Sequence, residues 1–192
     1  MDSPKEIYKT IYLYDMLCNC CKRLLKILLE KENIEYNKVD LGVIIIPSYI
    51  DDDTINNFLA SNNFKQITDK NKIIVEQIKL AVIELVHYAN NSNSIIRNSD
   101  YLMEKIGKSY QQLSNVFSEY EDQTLEKFII SHKIEKSKRL IQQNELSLSE
   151  ISFQMGYSSV QYLSNQFKKT TGITVSEFKK IKNPKIKALD EI

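Results

Sequence analysis

From Ile7 to Leu17 the chain reads IYKTIYLYDML, β-branched and aromatic residues in partial alternation, which predicts a strand. After Cys18-Asn19-Cys20-Cys21 the spacing changes. Leu24, Leu25, Leu28 and Leu29 fall on one helical face. The segment IEYNKVDLGVIIIP then predicts two short strands about Gly42, with Val39 and Leu41 alternating inward and Val43 to Ile46 as one buried run stopped by Pro47. Asp51, Asp52 and Asp53 precede Ile55, Phe58 and Leu59, and acidic groups favour a helix N-terminus, so a second helix is expected there. Phe64 to Thr68 offers a last short strand. From Ile73 onward helical spacing takes over, first with Ile74, Ile78, Ala81, Leu85 and Tyr88. A polar loop, NNSNSIIRNS, leads to a helix opened by Ser99 and closed at Gly107, and another runs from Ser109 to Tyr120.

The order strand, helix, strand, strand, helix, strand is that of an α+β, ferredoxin-like βαββαβ domain, expected over residues 1–70. An all-α domain of two helix-turn-helix motifs joined by a long helix is expected over 71–192. Its first motif covers about 95–120, its linker helix about 124–143 and its second motif about 147–172. Four Gly and three Pro in 192 residues give few breakers, which favours helices.

The second motif is the most sharply written. Ser147 and Glu150 stand at capping-box spacing. Leu148, Ile151 and Met155 share a face, and Gly156 supplies the left-handed residue that ends the helix. Ser159 can cap a further helix with Leu163 and Phe167 inward and Gln161, Asn165, Lys168 and Lys169 outward. That helix occurs twice. Ser109, Gln111, Leu113, Ser114, Asn115, Phe117, Thr124 and Phe128 recur fifty positions later as Ser159, Gln161, Leu163, Ser164, Asn165, Phe167, Thr174 and Phe178. Packing accounts for the repeated apolar residues but not for the repeated Gln and Asn. A duplicated polar pair points to a duplicated surface task.

In the linker, Leu125, Phe128, Ile129 and Leu140 are expected on one stripe and Ile130, Ile134 and Ile141 on another, so two packing partners are required. A helix of this length spans roughly 30 Å, close to the roughly 34 Å between major-groove faces on one side of B-DNA. Gln and Asn can bond the N7 and N6 edge of adenine. Gln111, Ser114, Asn115, Gln161, Ser164 and Asn165 are therefore the expected base-contacting residues, with Tyr110 near them. Lys108, Ser159, Lys168 and Lys169 are the expected phosphate contacts.

Charge agrees with that partner. The net charge is +1, but residues 1–70 carry nine basic and eleven acidic groups while 71–192 carry seventeen and fourteen. Between Lys133 and Lys187 eleven Lys or Arg face four Glu, which suits a phosphate backbone. No stretch has the length and apolarity of a bilayer span, and MDSPKE lacks a signal-peptide core, so a cytoplasmic protein is expected. No convergent nucleophile, base and oxyanion donors stand out, and no enzyme activity is expected.

From about Ile74 to Lys182 the sequence resembles the DNA-binding domain of the AraC/XylS family of bacterial transcription regulators. The resemblance is carried by Leu148 to Met155, Gly156 with Tyr157, Ser159, Tyr162 with Leu163, Phe167 with Lys168, Gly172, Thr174 and Phe178. Ser152 departs from the usual Ala and Val175 from the usual Pro. The resemblance implies double-stranded DNA as partner, contact with RNA polymerase, and a linker helix holding both motifs. The first domain resembles the heavy-metal-associated domain, whose loop Met16, Cys18 and Cys21 match while Asp15 replaces a Gly. Cys18 and Cys21 are candidate ligands for Cu(I) or Zn(II). Two other readings stand beside it: a remnant on a fold kept for homodimerisation, and a redox switch. Cys20 reads as a small buried residue or a bystander, and His87 and His132 as partly buried helix histidines. A metal chaperone or buffer whose helical half makes only protein contacts is the rival function.

Overall fold

The computed structural model describes residues 7–88 and 98–192. The chain divides into two compact units, Met1–Leu80 and Ala81–Ile192. Residues 90–97 of the expected polar loop, which include the start of the first motif at 95–97, lie outside the described residues, and the loop's last two residues, Asn98 and Ser99, are helical.

In the first unit the elements run β1 Tyr8–Leu13, α1 Asn19–Lys31, β2 Lys38–Asp40, β3 Val43–Pro47, α2 Asp52–Ser61 and β4 Gln66–Ile67. The four strands form one antiparallel sheet in the order β2-β3-β1-β4. Tyr8 lies opposite Pro47 and Tyr12 opposite Val43, while Tyr12 and Leu13 meet Ile67 and Gln66 on the other side. Ile11, Leu13, Val39, Ile44 and Ile46 point to one face, where Leu25 and Leu29 of α1 and Ile55, Phe58 and Leu59 of α2 complete the core. The expected buried run Val43–Ile46 instead alternates, with Ile44 and Ile46 buried and Val43 and Ile45 half-buried. Both helices cover the same face, so the other side of β3 keeps contact with solvent. Val39 is buried, as expected, but Leu41 is only half-buried because it enters the turn at Gly42. The first strand ends at Leu13 rather than Leu17, broken by Asp15 at φ 57°. Asp51 caps α2 by accepting from the Thr54 amide at 2.8 Å.

Helix α3, Lys70–Ile83, continues into a π-helical turn, Glu84–Tyr88. Its buried apolar residues are Val75, Ile78, Ala81, Val82, Ile83 and Val86; Ile78 and Ala81 are buried as expected, while Ile74 and Leu85 are half-buried and Tyr88 is exposed.

The second unit continues with α4 Asn98–Ile106, α5 Tyr110–Tyr120, α6 Leu125–Gln143, α7 Leu148–Gln154, α8 Val160–Thr171 and α9 Val175–Lys180. The starts of α5 to α9 are chemically marked. Ser109, Thr124, Ser147, Ser159 and Thr174 all cap the helix that follows with their hydroxyl oxygens. Helix α6 serves two cores. Phe128 packs on Phe117 with ring centroids 5.1 Å apart, while Ile134 and Ile141 join Ile151, Met155, Leu163, Phe167, Val175 and Phe178. Leu140 packs with this second cluster, not with Leu125 and Phe128 as the helical wheel suggests. No helix among the described residues is long and apolar enough to cross a membrane.

Candidate nucleic-acid interface

The two reader helices, α5 and α8, are built by the same local chemistry. Leu113 and Phe117 are fully buried in one, Leu163 and Phe167 in the other. From position 110 to 119 and from 160 to 169 the sequence of buried, half-buried and exposed residues is identical. Phe117 meets Phe128 at 5.1 Å, and Phe167 meets Phe178 at 5.3 Å, so each reader is locked by one aromatic from the helix that follows it. The apolar anchors therefore present the same helical face outward twice.

On those faces the structure places Gln111, Asn115, Gln161 and Asn165, all exposed, with Ser114 and Ser164 half-buried beside them. The side chains are not independent. Gln111 Nε2 donates to Asn115 Oδ1 at 2.8 Å, and Gln161 Nε2 donates to Asn165 Oδ1 at 2.9 Å. Spacing of four residues makes the pair neighbours on a helix surface, a signal that the sequence carries and that reading the residues singly misses. Each bond leaves a Gln carbonyl oxygen and an Asn amino group pointing to solvent, one acceptor beside one donor.

The flanks of the two readers differ. Ser109 and Gln112 close a full capping box, with Gln112 Oε1 accepting from the Ser109 amide at 3.1 Å. Ser159 caps through the Tyr162 amide at 3.1 Å, and tyrosine has no carbonyl with which to return the bond. Tyr162, which with Leu163 carries part of the family resemblance, is 48% exposed and lies beside Gln166 and the ring of Tyr157. Tyr110 is half-buried, and burial followed by the nearby Glu126 raises its hydroxyl pKa. Lys168 and Lys169 are exposed at the end of α8, where α5 carries Ser118 and Glu119 instead. Lys108 is half-buried in the turn between α4 and α5.

Both turns that aim the readers hold a glycine in the left-handed region, Gly107 at φ 72° and Gly156 at φ 68°. Behind the second turn lies a lysine that no sequence pattern singles out. Lys133 Nζ sits 5.5 Å from the centre of the Tyr157 ring, and burial pulls its pKa down to about 8. One residue earlier on α6, His132 is fully buried, with its Nδ1 3.1 Å from His87 Nε2. Arg139 approaches His87 Nδ1 at 3.4 Å and donates to the Lys187 carbonyl at 2.8 Å, while Glu135 accepts from the Lys187 amide at 3.1 Å. These contacts tie α6 to the π-helical turn and to the C-terminal segment.

In the first unit, Cys18 caps α1 and its sulfur lies 3.3 Å from that of Cys21. The Cys21 amide lowers the Cys18 thiol below its ordinary pKa, while burial pushes Cys21 up. Cys20 is exposed, not buried. Met16 is 1% exposed within the core, so its thioether does not face the cysteine pair's solvent side. Among the described residues no three His, Cys, Asp or Glu side chains cluster as a metal site.

Two helix-turn-helix units share one connecting helix, and each presents a polar face of the kind that helix-turn-helix proteins set into the major groove. Residues 102–181 match a family model described as a helix-turn-helix domain. The chain is 30% identical over 121 residues to the xylose operon regulatory protein of Escherichia coli strain K12, covering 63% of this chain and 28% of that one. The Haemophilus influenzae protein of the same name is 30% identical over 98 residues, 51% of this chain and 25% of that one. The chain thus spans about a quarter of the length of these curated relatives. A solved structure of a xylose-binding transcription activator aligns with a TM-score of 0.42 at 25% identity, covering 82% of this chain and 36% of that one.

Proposed function

We propose that the chain is a sequence-specific transcription regulator that sets α5 and α8 into successive major grooves of double-stranded DNA. The observation that carries the reading is the second occurrence of one reader face, amide pair included, on a shared helix. Gln111, Ser114, Asn115, Gln161, Ser164 and Asn165 contact bases; Lys108, Ser159, Lys168 and Lys169 hold phosphates and set register. Helix α6, at 19 residues, is roughly 28 Å long, a length suited to holding two readers about one duplex turn apart. The relatives' name supports operon regulation as the task, and the regulator works in the cytoplasm, with RNA polymerase as its second partner.

The first unit is read as a ferredoxin-like domain, supported by its element order and by the strand order β2-β3-β1-β4. It adjusts DNA binding, through homodimerisation and through Cys18 and Cys21. Two adjacent sulfurs at a helix start, one with a lowered pKa, suit a soft two-coordinate ion such as Cu(I). Zn(II) prefers four ligands, so it would call on donors beyond this pair.

The test is retention of labelled duplex across a salt series. Binding should weaken steeply with salt, and replacing both Lys168 and Lys169 by Gln should flatten the log–log slope by about 0.9 for each phosphate no longer neutralised. Binding with no salt dependence, or none to any duplex, would overturn the reading. Adding Cu(I) should shift occupancy in the wild type and not in Cys18→Ser.

A further inference from the structure

We infer that the two reader helices select the same short base word, so that the preferred duplex carries one adenine-containing word twice, once in each of two neighbouring major grooves. This rests on the DNA-binding reading above and extends it to the sequence being read.

The argument begins with what each helix shows to a groove. Gln111 and Asn115 on α5, and Gln161 and Asn165 on α8, occupy the same positions relative to their buried Leu and Phe anchors. The Gln-to-Asn bond is the same in both, at 2.8 and 2.9 Å. Orientation of the amides is thereby set alike before DNA arrives, with the Asn amino group as donor and the Gln carbonyl as acceptor. Adenine presents the complement in the major groove, N7 as acceptor and N6 as donor. Guanine presents two acceptors, and one of them would face the Gln carbonyl oxygen. The same chemistry in the same place selects the same base twice.

The helices differ beside this pair, at Tyr110 against Val160, Gln112 against Tyr162, Val116 against Gln166, Ser118 against Lys168 and Glu119 against Lys169. Gln112 is held in the capping box by the Ser109 amide and hydroxyl, which keeps it from the groove. Its counterpart Tyr162 is exposed and outside any such box, so the second word gains a neighbouring contact without changing its centre. Glu119 is replaced by Lys169, which strengthens the second reader's hold on phosphate without adding sequence information.

The experiment selects bound sequences from random duplex with the full chain, then repeats the selection with Asn115→Ala and with Asn165→Ala. The wild type should yield one word present twice, about one helical turn apart. Each variant should lose preference at the same position of the word, but in opposite copies, with affinity for the wild-type duplex falling roughly 5- to 150-fold. Retained low-salt binding to random duplex shows that each variant is folded. Two unrelated words, or variants that relax different bases, would overturn the inference while leaving DNA binding intact. A wild type that retains no duplex overturns the DNA-binding reading, and this inference with it.

Discussion

His87 and His132 face each other across 3.1 Å, the first on the π-helical turn and the second inside α6. Their rings meet nearly edge to face, and the ring of Phe128 closes on His132 with centroids 4.4 Å apart. Burial, together with Arg139 and Lys136, pulls the pKa of His87 down to about 4; burial, together with His87 and Arg139, pulls that of His132 down to about 3. Both histidines are therefore neutral in the folded protein at neutral pH.

A depressed histidine pKa makes acid destabilising. Above about pH 6.5 neither the folded nor the unfolded chain protonates these rings. As pH falls from there toward about 4, the unfolded chain binds protons that the folded one refuses, and stability falls by up to about 1.4 kcal/mol per pH unit for each ring. Below the folded values the loss is complete. Urea unfolding of the wild type at a series of pH values should show this slope, and the double variant His87→Gln/His132→Leu should be flatter over the same window. Equal slopes in the two proteins would remove the pair as its source.

The two aromatic locks predict matched losses. Phe117 and Phe167 are both fully buried, and each meets one aromatic at just over 5 Å. Truncating either to Ala should cost about 3–5 kcal/mol. The damage should differ in place: hydrogen exchange of α5 amides should rise with Phe117→Ala, and that of α8 amides with Phe167→Ala. Exchange rising equally in both helices for both variants would show that α6 couples the two cores more tightly than separate packing implies.

Much of this fold is legible because it is local. A Ser or Thr before a helix, a Gly after it and apolar residues three and four apart are each set within one turn of chain, so the caps at Ser109, Thr124, Ser147, Ser159 and Thr174 can be read directly or from the repeat. What the sequence hides depends on tertiary partners. Leu140 changes stripe because the second core sits to one side of the helical wheel, and Ile45 is half-buried because only one sheet face is covered. His87 and His132 are 45 residues apart, and no periodicity connects them. Gln111 and Asn115 read as separate contacts along the chain, although their spacing of four already allows the bond that joins them.

Gly42 joins β2 to β3 through a left-handed turn. Its φ is 66°, and a Cβ there would come within 2.5 Å of Leu80 Cδ1. The Leu80 side chain can swing aside, but the left-handed backbone cannot be relieved in that way and costs an L-residue about 1–2 kcal/mol. Gly42→Ala should therefore lower stability by at least that amount, and adding Leu80→Ala should not restore it. Gly172, at φ 81° with open space around it, should show the backbone cost alone. Chemical denaturation of the three variants checks the comparison, and a neutral Gly42→Ala would refute it.

Cys18 should be the faster-reacting thiol of the Cys18–Cys21 pair, for a reason located in the backbone. Its sulfur accepts from the Cys21 amide at 3.5 Å at the open N-terminus of α1, where unpaired amides favour negative charge. Cys21 lies nearer the core, and burial raises its pKa. Timed alkylation at pH 8, read residue by residue from fragment-ion masses, should modify Cys18 before Cys21. Cys21→Ala removes a sulfur but keeps the amide, so Cys18 should stay reactive; Cys21→Pro removes the amide at a position in the first turn that tolerates proline, so Cys18 should slow. If both variants slow Cys18 equally, the neighbouring sulfur rather than the helix start controls the thiol.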